Sequence, residues 1–424
     1  MDPRLYLFSS TQGSAPAVKC CQGEPAPPRG LASRLTPHSS LSQPLAPHPP
    51  PTYAYGSKYV IIGIIFIELE VFILPGKEDI INEAYQLGFA DIGFTSAEPF
   101  DKQREILLER EGFYDWVYKM NLDLLQGTDP RAVYPEAKSI IVLIYNYFQQ
   151  AFPPDMAGKF GRCYMNDDRM IKDGLAKMTK DFRRFLTTGG INSKSGVNLP
   201  QRLAAARAGL GTFGKNCLFY SRQAAGKGSW VFPIVLLVDR EFTPDEATIK
   251  VECPDWCKNA CIAACPTGAL RGPNKIDPRR CISYLSYYGD DDALKEYREE
   301  MGVKVYGCDR CQEVCPRNEG WMTRELPPDE KIAEWSQYFD LAALLHMDEE
   351  YYVKYVQPHM FYIPPEEIWR FQMNAARAMG NSLNFEYYAD LKQCLAENQD
   401  ERVREMAAWA LKKLDYQMQT HNRK

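Results

Sequence analysis

The chain has 424 residues, 45% of them apolar and 25% charged, enough for two or three domains with sizeable cores. This near-average composition excludes collagen, a pure coiled coil and global disorder. Fifty basic against 55 acidic residues give a net charge of -5, which excludes a uniformly basic nucleic-acid binder but leaves room for a local basic face.

In chain order, residues 1–58 hold 11 of the 30 prolines and only two acids, Asp2 and Glu24, which predicts a disordered tail without a secretory leader. Tyr59 to Leu74 (YVIIGIIFIELEVFIL) is the one membrane candidate. At 16 residues it is short for a spanning helix, and it carries Glu68 and Glu70. Its β-branched content and the alternation from Ile67 to Val71 predict strand and no membrane association. Helical spacing over Lys77–Leu87, closed by Gly88, precedes a short strand at Phe89–Phe94. The apolar runs Ser139–Phe148 and Trp230–Val238 predict strands covered on both faces, with Tyr145 and Tyr147 packed in the core. Helices are predicted at Met170–Phe185 and Leu203–Ala208, giving an α/β domain over 59–245.

Beyond Pro327 the chain turns helical. Arg370-FQMNAARAMG and Arg402-VREMAAWALK align at a 32-residue offset, pairing Ala375 with Ala407, Ala376 with Ala408, Ala378 with Ala410 and Met379 with Leu411. Matching small residues let helices approach closely, so residues 326–424 are expected to form HEAT-like repeats, with an ordinary bundle as the alternative.

Of the 13 cysteines, eight lie in residues 246–325, as Cys253-PDW-Cys257-KNA-Cys261-IAA-Cys265-Pro266, then Cys281, then Cys308-DR-Cys311-QEV-Cys315-Pro316. Eight thiolates are what two cubane iron–sulfur clusters need. In a two-cluster ferredoxin arrangement the last Cys of one run ligates the other run's cluster. This assigns Cys253, Cys257, Cys261 and Cys315 to a first [4Fe-4S] cluster, and Cys265, Cys281, Cys308 and Cys311 to a second. No His falls within the segment, so mixed Cys/His zinc sites are disfavoured, whereas four-thiolate zinc sites stay open. Cys163, Cys217 and Cys394 read as buried small apolar residues.

Gly209-Leu-Gly211-Thr-Phe-Gly214 matches a dinucleotide fingerprint but follows a helical stretch where the fingerprint needs a strand, so nicotinamide or flavin binding of that kind is disfavoured. The glycines instead suggest a backbone passing close to something large and flat, with Lys215 and Asn216 positioned to donate hydrogen bonds to it. Asp309, in the second run, is a further candidate cofactor contact.

Together AGLGTFGKN (208–216), GSW (228–230), CPTGAL (265–270), RRCISYL around Cys281, and YGCDRCQEVCPRN (306–318) resemble the epoxyqueuosine reductase family, with reductive dehalogenases as more distant kin. The resemblance covers about residues 77–424. It implies an α/β cobalamin-binding reductase domain, a ferredoxin-like double [4Fe-4S] domain and C-terminal helical HEAT-like repeats. It also implies a cytoplasmic monomer, two [4Fe-4S] clusters and cobalamin as cofactors, a ferredoxin- or flavodoxin-type electron donor, and a tRNA substrate. A mildly basic terminal stretch (Arg402, Arg404, Lys412, Lys413, Arg423, Lys424) is the expected RNA contact. The chain departs from the family pattern in two places. The first run has three-residue gaps at Cys253–Cys257 and Cys257–Cys261 where members usually have two. Ser195, in Lys194-Ser-Gly-Val-Asn-Leu199, stands where the family's proton-donating Asp is expected, and a hydroxyl is far too weak an acid to replace it. Tyr164, Asp167, Asp168 and Lys194 are the candidate replacements, Tyr164 and Asp168 foremost. Two other readings remain: an electron-transfer protein with both clusters and no catalytic corrinoid, and a zinc-bearing helical scaffold.

Overall fold

The computed structural model describes residues 58–62, 65–69, 74–120, 122–165, 172–196 and 198–421. The expected N-terminal tail up to residue 57, and Asp167 and Asp168, lie outside the described residues.

Two strands, β1 (Lys58–Ile62) and β2 (Ile65–Leu69), pair antiparallel with Lys58 opposite Leu69, so the apolar run adopts the extended backbone its alternation predicts. They belong to a contact unit separate from residues 75–424. Among the described residues no helix is long and apolar enough to cross a membrane.

The larger unit is built on a four-stranded sheet of β3 (Asp91–Ser96), β4 (Ser139–Asn146), β5 (Ser193–Ser195) and β8 (Val231–Val238), in the order β3-β4-β8-β5. Every neighbouring pair is antiparallel although helices separate the strands in sequence. The long β4–β8 pair runs from Ser139 opposite Val238 to Asn146 opposite Val231. Ile140 to Ile144 are fully buried, each aliphatic side chain contributing about 1.5–3 kcal/mol. Helices Lys77–Gln86, Leu175–Thr188 and Gln201–Arg207 pack against these strands and one another. The helix expected from Met170 starts at Leu175, after Gly174. Pro233 is tolerated in β8 because it lies past the end of β5, whose last residue Ser195 stands opposite Leu236.

One apolar core continues from Ile80 through the cysteine-rich segment to Leu414. The C-terminal helices Trp369–Ser382, Tyr388–Glu397 and Glu401–His421 close it. The first and last of these meet at small residues: a Cβ on Gly380 would lie 2.8 Å from both Cα and Cβ of Ala410.

This helical part also positions the cysteine-bearing loops. Arg377 is fully buried, and its guanidinium donates to the carbonyls of Gly302 (2.8 Å) and Lys304 and to Asn374 Oδ1. Burial pulls its pKa down to about 9, and the three acceptors offset part of the cost of a cation that has left water, while Nε is buried without a hydrogen-bond partner. Asn374 Nδ2 donates to the Ser286 carbonyl at 2.7 Å, and Ser286 Oγ accepts the Gly307 N–H at 2.9 Å. The helix after Cys281 and the turn before Cys308 are thereby pinned to one frame.

Gly380→Val, which drives a side chain into the facing helix, is expected to destabilise the protein by about 1–3 kcal/mol, read as a lower denaturant midpoint. A pH effect follows from His359, whose ring stacks on Trp335 at 3.8 Å. Burial, with the Lys331 ammonium adding and the Asp173 carboxylate opposing, pushes its pKa down to about 4. An unfolded His takes its proton near pH 6.5. Between about pH 6.5 and 4 the unfolded chain therefore binds the extra proton, and stability falls as the pH drops through that window. His359→Gln should flatten this limb of a plot of denaturation midpoint against pH.

Candidate metal centre and the cleft beside it

The two cysteine runs approach through short helices, Ala260–Ala263 and Arg310–Glu313, which pack against each other. Burial pushes the Cys261 thiol up to about 11, with Cys315, Cys257 and Cys253 as the neighbouring groups that add to it. Cys315 is raised by burial and feels Cys253 and Cys257. These four thiols, the expected first group, therefore gather although Cys315 comes from the distant run. Cys308 is pushed up to about 12, chiefly by burial, and feels Cys281, its expected partner in the second group. Cys265 Sγ lies 3.8 Å from Thr267 Oγ1, and Cys311 packs beside Cys315, Leu218 and Tyr220. Among the described residues no three His, Cys, Asp or Glu side chains close around a single ion.

The glycine turn lies on this centre. The Lys215 N–H donates to Cys253 Sγ at 3.4 Å, and Asn216 Nδ2 donates to the Cys311 carbonyl at 3.1 Å and to the Tyr220 hydroxyl at 2.9 Å. That hydroxyl donates to Cys315 Sγ at 2.9 Å. The flat neighbour of the glycines is Tyr220: a Cβ on Gly214 would lie 2.5 Å from its ring, and one on Gly211 2.0 Å from its carbonyl oxygen. Gly209 has φ +71° and passes the Glu246 carbonyl, 2.5 Å from where a Cβ would sit. A helix precedes the turn and the small β6–β7 pair (Gly211–Phe213, Phe219–Ser221) contains it, so no dinucleotide fold forms here. Tyr220 is the functional residue that sequence reasoning missed. The Arg317 guanidinium covers its ring at 4.0 Å, and burial holds its phenol far above the ordinary range.

Asp309 is 1% exposed and bridges elements: its carboxylate accepts the Arg162 N–H at 2.8 Å and Gln312 Nε2 at 3.3 Å. Gln312 Oε1 accepts the hydroxyls of Ser229 (2.9 Å) and Tyr147 (3.3 Å), while Asn318 holds Ser229 through its N–H and its hydroxyl. Beside this network a cleft is lined by Tyr147, Cys163, Arg202, Ser229, Phe232 and Gln312. On the far side of Arg202 a cavity of about 550 Å³ is walled by Lys102, Arg110, Arg202, Arg207 and Lys250 against the single carboxylate of Asp101.

Of the expected proton donors, Tyr164 is a core residue. It is 3% exposed, its ring fits against Gly161 and Gly307, and its hydroxyl faces that of Tyr287 at 3.2 Å. Lys194 Nζ donates to the Val133 carbonyl at 2.7 Å, and Ser195 is paired in β5 opposite Leu236. Among the four described residues of the terminal basic stretch, three are spent on internal pairs: Arg402 with Asp400, Arg404 with the carbonyls of Asn398 and Gln399, and Lys413 with Glu299 and Asn381.

Tyr220→Phe removes one hydrogen bond to a cluster thiolate while leaving all eight cysteines. The first cluster should remain, with its reduction potential lowered by on the order of 40 mV in a redox titration followed by electron paramagnetic resonance.

Residues 253–318 match the family described as a 4Fe-4S double cluster binding domain. The chain is 30% identical to the epoxyqueuosine reductase of Listeria monocytogenes over 368 residues, covering 80% of this chain and 89% of the relative. Its fold is similar to the epoxyqueuosine reductase of Streptococcus thermophilus, with TM-score 0.61 and 25% identity over 80% of this chain and 90% of that one. It is also similar to an epoxyqueuosine reductase solved with an epoxyqueuosine-modified tRNA-Tyr stem loop, with TM-score 0.59 and 24% identity over 80% and 98% of the two chains. The thiol constellation, the turn laid on it and these likenesses agree, and the chain belongs to the epoxyqueuosine reductase family.

Proposed function

We propose that the chain is an iron–sulfur and cobalamin-dependent oxidoreductase that reductively removes the epoxide oxygen of epoxyqueuosine in tRNA. The observation that carries this reading is the meeting of both cysteine runs on one turn, beside a cleft edged by the Gln312, Ser229 and Asn318 network. Cys253, Cys257, Cys261 and Cys315 would hold one cluster, and Cys265, Cys281, Cys308 and Cys311 the other, relaying single electrons toward the cleft.

The donor set beside the clusters fits a corrin. Neutral amides and hydroxyls suit its amide rim, and Tyr147 and Phe232, 4.5 Å apart between ring centres, offer flat apolar faces. The cleft itself measures about 20 Å³, so its walls would have to part for so large a ring to enter. When bound there, cobalamin supplies a metal centre that can be reduced to a nucleophile. The chain's own residues orient and shield that reaction. Gln312 and Tyr147 form a wall, and Arg202, 9% exposed and bonded to the Cys217 carbonyl, fixes the wall shared with the larger cavity. The cationic lining of that larger cavity suits an RNA phosphate better than the internally paired terminal helix does.

Proton delivery to the departing oxygen falls to Asp168, with Asp167 as its neighbour. Tyr164 and Lys194 have partners elsewhere, and Ser195 is too weak an acid. The reading divides the chain into a tail (1–58), a cobalamin-binding part (59–245), a two-cluster part (246–325) and a HEAT-like helical part (326–424). The 380–410 helix contact supports the last of these. Low-potential clusters suit a reducing, cytoplasmic setting.

Anaerobic reconstitution with iron, sulfide and cobalamin, followed by assay on epoxyqueuosine tRNA, tests this. With a low-potential reductant such as dithionite supplied, conversion of epoxyqueuosine to queuosine is expected, and Asp168→Asn should lower it by about 10²–10⁴-fold with both cofactors retained. Cluster absorbance without corrin uptake or turnover would instead support a two-cluster electron carrier, a reading favoured by Ser195 and the narrow cleft.

A further inference from the structure

The loop that carries the first cluster's ligands also carries the most exposed tryptophan-sized apolar surface of the cysteine-rich segment. Trp256, between Asp255 and the ligand Cys257, is 65% exposed. Three lysines gather at the same place. Lys215 Nζ donates to Asn259 Oδ1 at 2.8 Å, next to Lys258, and the Lys215 carbonyl accepts the Asn274 N–H at 2.9 Å, next to Lys275. Lys258 and Lys275 are both exposed. The extra residue in the Cys257–Cys261 gap forms a turn of two consecutive left-handed residues, Lys258 (φ 45°) and Asn259 (φ 62°). Non-glycine residues rarely adopt this backbone, at about 1–2 kcal/mol each, and here it turns a lysine outward on the cluster loop. Of the nearby carboxylates, Glu252 is paired with Lys250 and Asp255 stands among the lysines.

We propose that Trp256, with the rim of Lys215, Lys258 and Lys275, is the docking surface for an acidic ferredoxin-type carrier. The inference rests on the first cluster being present but not on the tRNA reaction. An apolar centre ringed by like charges is the pattern of a brief redox encounter: the charges set the rate of approach, and the small contact allows release. In a chain of net charge -5, a local lysine rim selects a carboxylate-rich partner. The step balances as one electron. The carrier's reduced [2Fe-2S] centre is oxidised, the first [4Fe-4S] cluster is reduced, and no proton or bond changes hands. The surface lies on the turn that carries the ligand Cys257, beside the first cluster's thiols, which suits a one-electron carrier better than an RNA backbone.

The test mixes the reconstituted two-cluster protein with photoreduced plant-type [2Fe-2S] ferredoxin, without tRNA or cobalamin, and follows cluster bleaching by stopped flow. Trp256→Ala and the double variant Lys258→Glu, Lys275→Glu should each slow reduction by about tenfold or more. The double variant should also lose most of the salt dependence of the rate and weaken ferredoxin binding measured directly by calorimetry. Iron content and the rate of reduction by dithionite should be unchanged in both. Wild-type rates with ferredoxin would overturn the proposal, as would equal slowing with dithionite. Loss of binding to a tRNA stem loop with ferredoxin rates intact would assign the surface to RNA and overturn it too.

Discussion

A thiolate is the ligand an iron–sulfur cluster needs, and burial is what a thiol resists ionising in. The fold sets these two requirements against each other at Cys261, raised to about 11, and at Cys308, raised to about 12. Only a bound cationic core offsets that penalty, so the free energy of cluster binding is coupled to the burial of the loops that hold it. The protein adds two donors that favour the charged form of sulfur: the Lys215 N–H at Cys253 and the Tyr220 hydroxyl at Cys315. The glycines before Lys215 admit the Tyr220 strand and ring close enough for both donors to reach.

The same constraint explains why remote elements converge on the cysteine-rich segment. Its own regular structure is a few short turns and strands, too little to fix thiols in place. Rigidity comes from outside. Arg377 and Asn374 hold the 302–304 turn and the Ser286 carbonyl, and Asp309 clasps the Arg162 backbone. Each of these is a polar group buried with its partners, so losing one strands the other without water. The C-terminal helices are therefore part of the metal site's framework.

Legibility followed the range of the interactions. The double-cluster character of residues 253–318 was readable because cysteine spacing is local, and so were the core strands, because SIIVLIYN and VFPIVLLV are apolar on both faces. Three things were not readable. The antiparallel pairing of β4 with β8 joins residues about 90 apart, and no pattern within either strand encodes its direction. The flat neighbour of the glycine turn is Tyr220 of the same chain, where sequence alone suggested a group outside it. Tyr164 has the chemistry of an acid, yet Gly161 and Gly307 leave room for its ring in the core. Whether a side chain with suitable chemistry faces a cleft or a core is decided by contacts far away in sequence.

The departures from the family pattern fall unevenly across the chemistry. Electron handling depends on eight sulfurs and the donors around them, and all of these are in place here, with Cys315 crossing from its own run to join the first group. Proton handling depends on the acidity of a single side chain. Position 195 gives that up: its serine sits in a strand, and its neighbour Lys194 is bound to the Val133 carbonyl. A cluster relay tolerates no loss of a ligand, whereas an acid can be supplied from any loop that reaches the departing oxygen.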